Sequence, residues 1–312
     1  MNKKLKRILM LAGKVLVLTL LLLVLSGVGS TLLPANAVGG GAEGGAGQAV
    51  VPSMSLVLAI MFLQVVALAI PIVRSRWHGW GLAGAIFVVY FGTVTFMSQI
   101  ESLVYLGGKM PGGLTSGLFA MGLFVAAVFS PVAVLTLGKW RRAPANGRGS
   151  GKGSVPRLDL GRWGWRIGAA GVLFLALYYL FGYYIAWQDP ELRAYYGGTD
   201  PGSFVAQMES VVRATPWMLP LQFARGLLWV GLGLLLIRSM RGSWWHAGLA
   251  IALLFAAPSL YLLFPNPVMP DFPRMTHLIE TLPYQFLFGW FLAWFFRDRK
   301  PVTVRSAASV AS

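Results

Sequence analysis

Residues 53–73 read SMSLVLAIMFLQVVALAIPIV and run straight into Arg74-Ser75-Arg76. The run contains no charged residue, and about 20 apolar residues are enough for a helix to cross the hydrocarbon core of a bilayer. Further on, residues 217–237 read WMLPLQFARGLLWVGLGLLLI and end on Arg238-Ser239. The two runs share more than their length. Pro52 and Met54 match Pro216 and Met218, Val73-Arg74-Ser75 matches Ile237-Arg238-Ser239, and Trp80 matches Trp244, all at an offset of 164. Arg7-Ile8 matches Arg166-Ile167, and Met110-Pro111 matches Met269-Pro270, both at 159. The matches keep their order and fall at equivalent ends of apolar runs. They imply two units in the same orientation, related by an axis along the membrane normal as parallel repeats are.

Other apolar runs lie near 8–29, 81–100, 114–138, 167–187, 246–264 and 277–296. The reading is therefore an all-α integral membrane protein of about eight transmembrane helices. Residues 1–140 form a first four-helix unit and 167–300 a second. A basic, Gly/Ser/Pro-rich cytoplasmic linker over 141–166 joins them, and a disordered tail follows at 301–312. With both termini inside, twenty of the 26 basic residues fall on cytoplasmic segments, and of the ten acids only Asp159 and Asp298 do. That is the positive-inside bias of an inner, cell-membrane protein. Residues 1–37 raise one alternative, because a Lys-rich start, an apolar stretch and Ala35-Asn36-Ala37 also suit a cleavable signal peptide. Removing them would leave seven spans and change no other orientation.

A net charge of +16 on 312 residues would suggest nucleic acid in a soluble protein. Here only 12% of residues are charged, no nucleic-acid-binding module is present, and the basic residues lie between apolar runs. The partners implied are the lipid bilayer, anionic lipids at the cytoplasmic face, and a membrane protein partner, with no nucleic acid. The chain has no cysteine, which excludes disulfides, thiolate metal sites and cysteine nucleophiles.

Polar residues inside a bilayer are costly and mark sites by default. In this chain they gather at the outer ends of helices. Gln99 and Glu101 end the third span. Gln222 and Arg225 lie in the first turns of the sixth, three residues apart and on one face with Trp229. His277 and Glu280 open the eighth, again three apart, and Tyr284 continues their face. Pro283 should bend that helix, and Asp271 before Pro273 is a plausible N-cap. Three arrangements suit the set. The first is a structural network in which Arg225 pairs with Glu280 or Glu101. The second is an outward-facing pocket of Gln99, Glu101, Gln222, Arg225, Trp229, His277, Glu280 and Tyr284 for a lipid-like or small anionic ligand or a docking partner. The third is a metal or acid–base centre of Glu101, His277 and Glu280. A transporter of a small anionic or amphiphilic solute and a membrane-embedded His/Glu enzyme are the alternative functions. The residues do not identify a cofactor, which stays unknown from the sequence. His78 and His246 sit beside Trp77, Trp80, Trp244 and Trp245, an interfacial belt. Asp200-Pro201 is expected to start an amphipathic surface helix with Phe204, Val205, Met208, Val211 and Val212 on one face.

Overall fold

The computed structural model describes residues 2–34, 52–106, 108, 110–141, 160–265 and 269–297. Ala35-Asn36-Ala37, the Gly-rich stretch 39–47, most of the linker (142–159) and the tail 301–312 lie outside them, as do Lys109, Asp159 and Asp298. The described residues form helices and contain no sheet beyond one isolated bridge. Eleven α-helices follow in order: α1 Lys3–Ser30, α2 Met54–Val73, α3 Gly79–Phe91, α4 Met97–Leu106, α5 Leu114–Thr136, α6 Leu160–Phe181, α7 Pro190–Tyr196, α8 Phe204–Ala214, α9 Met218–Ser239, α10 Trp244–Ala256 and α11 Asp271–Phe296. A π turn, Gly92–Phe96, joins α3 to α4, and a second, Gly182–Ala186, extends α6. A 3-10 stretch, Ala257–Leu263, extends α10.

Seven of these helical segments are long and apolar enough to cross a membrane. The chain is a multi-pass helical membrane protein. The third segment runs to Leu106, beyond the expected end at 100, because the π turn carries the helix onward. The expected eighth span, α11, has 26 residues, which is about 39 Å of helix. Asp271, Arg274, Glu280 and Gln285 make it less apolar than the other seven.

Exposure shows what each helix faces. On α1, Val15, Leu18, Leu22 and Leu25 are buried, whereas Leu9, Leu16, Val17, Leu20 and Val24 are exposed. An apolar outer face suits lipid, where the backbone is satisfied within the helix. α1 packs on α2 and α5, α3 on α5, and α2 on α3. In the second half α6 packs on α9 and α11, α10 on α11, and α9 on α10. Between halves, α2 meets α10 and α3 meets α9. A close approach of backbones is made at Gly289 of α11, where a Cβ would stand 2.8 Å from Ala252 Cα and N. Small residues of this kind let membrane helices pack backbone to backbone.

At one end of the bundle the halves are tied by backbone. Ser75 and Met240 form an antiparallel bridge. Arg76 N–H donates to Ser239 O, and Arg241 N–H donates to Arg74 O, each at 2.7 Å.

Two local starts differ from expectation. The surface helix α8 begins at Phe204, not at Asp200-Pro201. Ser203 is its N-cap and accepts from Ala206 N–H, while Asp200 accepts from Gly202 N–H in the preceding turn. Asp271 does not cap α11. Pro270 holds the cap position, and Asp271 lies in the first turn and pairs with Arg274.

Candidate functional site

The site is built at the end of the bundle opposite the Ser75–Met240 bridge. α9 enters here and buries Gln222, Arg225 and Trp229 on one face. The Arg225 side chain is 2% exposed. Its Nη1 donates to Gln222 Oε1 at 2.6 Å, and its Nη2 donates to Glu101 Oε1 at 2.5 Å. A guanidinium stays buried in an apolar surrounding only when paired and hydrogen-bonded. Glu101 supplies the pairing from α4, across the α3–α9 side of the interface between halves. Of the two expected partners, Glu101 is the one bonded to Arg225.

Tyrosines extend the network. Tyr105, one turn after Glu101, accepts from Gln222 Nε2 at 3.1 Å and shares a short hydrogen bond with Tyr178 of α6. The Arg225 guanidinium lies 6.0 Å from the centre of the Tyr178 ring, within cation–π range. Tyr178 also meets Tyr284 edge-on, with ring centres 6.4 Å apart.

A second group stands at the start of α11. His277 Nδ1 and Glu280 Oε2 are 2.8 Å apart, and His277 Nε2 lies 2.9 Å from Tyr196 OH. Glu280 is buried and packs against the π turn of α6, where a Cβ on Gly182 would lie in ordinary contact, 3.4 Å from Glu280 Oε1. The wider turn of a π-helix is a frequent feature of functional sites. Tyr196 arrives on the short helix α7. That helix is capped by Asp189, which accepts from Glu191 N–H and Leu192 N–H. The other Asp189 oxygen accepts from Thr276 Oγ1 at 2.5 Å, so the cap also clamps α7 to the first turn of α11. Burial, with Tyr195 and the carboxylates of Glu280 and Glu101 nearby, pushes the Tyr196 phenol well above its ordinary value. It therefore serves as a neutral hydroxyl toward His277.

The two groups join through rings. Tyr105 and Tyr196 meet edge-on at 6.3 Å, and Tyr178 and Tyr284 do so deeper in the bundle. Among the described residues no ion pair links Arg225 to Glu280. The metal arrangement of Glu101, His277 and Glu280 is not assembled. No group of three His, Asp or Glu that could hold a metal ion occurs among the described residues. Glu101 is drawn instead to Arg225. Gln99 is buried, two residues from Glu101 and so on a different face of α4, and its Oε1 has no hydrogen-bond partner.

Tyr105, Tyr178 and Tyr196 are the members that sequence reasoning did not single out. Tyr105 carried a signal, since it follows Glu101 by four residues and so shares its face. Several buried atoms near the network lack partners: Arg225 Nε and Trp229 Nε1 on α9, and Gln285 Oε1 beside Tyr284. No protein-family model, curated protein or solved structure matches this chain.

Proposed function

We propose that the chain is an eight-span protein of two parallel four-helix units, with both termini cytoplasmic, that binds a small anionic or amphiphilic ligand at its outer end. The duplication is supported by what meets what. The stretches that match at an offset of 164, Arg74-Ser75 and Arg238-Ser239, lie side by side and antiparallel, as segments related by a two-fold axis do. The contacts α2–α10 and α3–α9 are exchanged by the same operation. The charge bias supports an outward-facing Arg225 end.

One observation carries the ligand reading. Arg225 is buried with Nε unpartnered, and Trp229 Nε1, one turn further along the same face, is also a buried donor without an acceptor. The carboxylate that neutralises Arg225 is the exposed member of the pair, at 34% against 2%. A ligand anion arriving from the outer leaflet replaces Glu101 on the guanidinium and offers oxygens to the spare donors. Convergent polar groups with an apolar, aromatic surround are what such a ligand needs.

The test is competitive. Octanoate and inorganic phosphate are titrated against purified wild type, Glu101→Gln and Arg225→Gln, with binding read by calorimetry. Removing the competing carboxylate should tighten binding of at least one probe by roughly tenfold, and Arg225→Gln should abolish it. If neither probe binds any of the three proteins, or if Glu101→Gln weakens binding as much as Arg225→Gln, the pair is structural and the ligand reading fails.

A second reading rests on His277, held between a carboxylate and a phenol. That chain suits acid–base work on a bound ligand. It requires His277→Ala to stop turnover without loss of ligand binding, and equal turnover in the variant would remove it.

A further inference from the structure

Five cationic side chains gather around the Ser75–Met240 bridge. Arg76 Nη2 donates to Met240 O at 2.9 Å, and Lys139 Nζ donates to Ser75 O at 3.0 Å. Arg297 Nη2 donates to Met240 O at 3.2 Å and to Gly242 O at 2.6 Å. Arg241 and Arg74 lie in the bridged segments themselves, and Arg74 Nη1 would stand 3.3 Å from a Cβ on Gly242. Four helix ends from both halves thus deliver cations to one small area. Among the described residues no carboxylate forms a salt bridge with Arg74, Arg76, Lys139, Arg241 or Arg297.

Orientation alone does not require this. The positive-inside bias asks only that basic residues lie on cytoplasmic loops, and loops spread along the perimeter would serve. Here three of the cations are used to brace backbone carbonyls, which fixes their heads in place. Lys139 keeps two donors beyond its one bond, and Arg297 Nη1 is buried without a partner. Burial and neighbouring cations (Arg241 for Lys139, Arg76 for Arg297) hold both groups below their ordinary values. Tryptophans mark the depth. Trp77, Trp80, Trp140, Trp244 and Trp245 surround the same face, with Trp80 and Trp245 exposed and Trp80 edge-on to Trp140 at 4.9 Å. Tryptophan prefers the headgroup level of a bilayer.

We infer that the bridged face is a phosphate site on the axis between the two four-helix units, and that its ligand is the headgroup phosphate of an anionic phospholipid. The bound phosphate bridges cations of both halves and so ties the units together. This site is separate from the Arg225 network and does not depend on what binds there.

Arg74 and Arg241 are the residues to change, because the bracing bonds of Arg76, Lys139 and Arg297 hold the fold. The double variant R74Q/R241Q and wild type are placed in nanodiscs of phosphatidylcholine alone and of phosphatidylcholine with phosphatidylglycerol. Arg213→Gln, on the exposed side of α8, is the charge control. Lipid retained after release is read by native mass spectrometry, and thermal midpoints are read in each disc. Wild type and the control should retain phosphatidylglycerol over phosphatidylcholine and melt higher when it is present. The double variant should melt with wild type in phosphatidylcholine but lose its phosphatidylglycerol preference by roughly tenfold or more, at about 1 kcal/mol per basic residue. Equal retention of the two lipids by wild type overturns the proposal, as does an undiminished preference in the double variant. If inorganic phosphate in phosphatidylcholine discs reproduces the whole thermal shift, the ligand is a soluble anion and the lipid assignment is wrong.

Discussion

Arg225 is where the cost of this fold is concentrated. A guanidinium 2% exposed needs its charge matched, and Glu101 matches it from another helix. Breaking such a pair leaves one charge stranded. Glu101 keeps some contact with its surroundings, which discounts the loss. Arg225→Ala should therefore lower stability by roughly 1–3 kcal/mol. A thermal melt in detergent checks this, with Arg213→Ala expected to change the midpoint little, because that ion pair is exposed. The His277 side of the site is predicted to behave differently. Tyr196→Phe removes the hydroxyl contact to His277 and should cost about 1 kcal/mol, while Glu280→Ala leaves His277 without its buried carboxylate and should cost more. How much of this was legible follows from geometry. Gln222–Arg225 and His277–Glu280 each lie three apart on one helix, so spacing alone brought them together. Which carboxylate meets Arg225 depends on how α4 packs on α9, and spacing within one helix holds no information on that. Tyr196 sits on a short helix whose position depends on the Asp189–Thr276 clamp, so it too was out of reach.

At the scale of elements, irregular turns do the positioning. The π turn Gly92–Phe96 leads directly into α4, which bears Glu101 and Tyr105, and Gly182 of the second π turn packs beside Glu280. Neither turn has a composition that distinguishes it from ordinary apolar helix, which explains why hydropathy alone ends the third span at 100. The start of α8 departs from expectation for a related reason. Asp200-Pro201 and Ser203 are both start signals, and Asp200 is occupied by the Gly202 turn, leaving Ser203 to cap. The clamp on α7 yields a test. Asp189→Ala removes a helix cap and the bond to Thr276 together, and should cost about 1–2 kcal/mol. Faster hydrogen exchange over 190–196 and the first turn of α11, with the rest of the bundle unchanged, is the expected pattern. Packing yields another. Gly289 touches the α10 backbone, so Gly289→Ala must separate α10 from α11 and should lower the thermal midpoint by the equivalent of about 1–3 kcal/mol. Gly168→Ala, where the added methyl meets nothing, should not.

For the whole molecule, polarity is the organising feature. The Arg225 network and the basic bridged face occupy opposite ends of one bundle, and the stretches that match at an offset of 164 meet at the basic end. Apolar length alone made the membrane class legible, and the charge bias gave an orientation. The bridge between Arg74–Arg76 and Ser239–Arg241 was not legible as a contact, although the repeated residues that form it were. The second half carries Arg225, His277 and Glu280, and the corresponding stretch of α2 holds Leu58, Met61 and Val65 at the positions of Gln222, Arg225 and Trp229. The α2–α10 interface is closed instead by a neutral pair, with Tyr261 OH donating to Gln64 Oε1 at 3.0 Å. The α3–α9 side carries the costly charge and the α2–α10 side a hydrogen bond. Both faces need opposite sides of one membrane, and the absence of cysteine makes this directly measurable. Ser210→Cys, exposed on α8, and Ser243→Cys, exposed beside the bridge, are introduced singly and treated in intact cells with a membrane-impermeant maleimide. Ser210→Cys should label at once and Ser243→Cys only after permeabilisation. Labelling of both positions in intact cells, or of Ser243→Cys alone, would contradict the account.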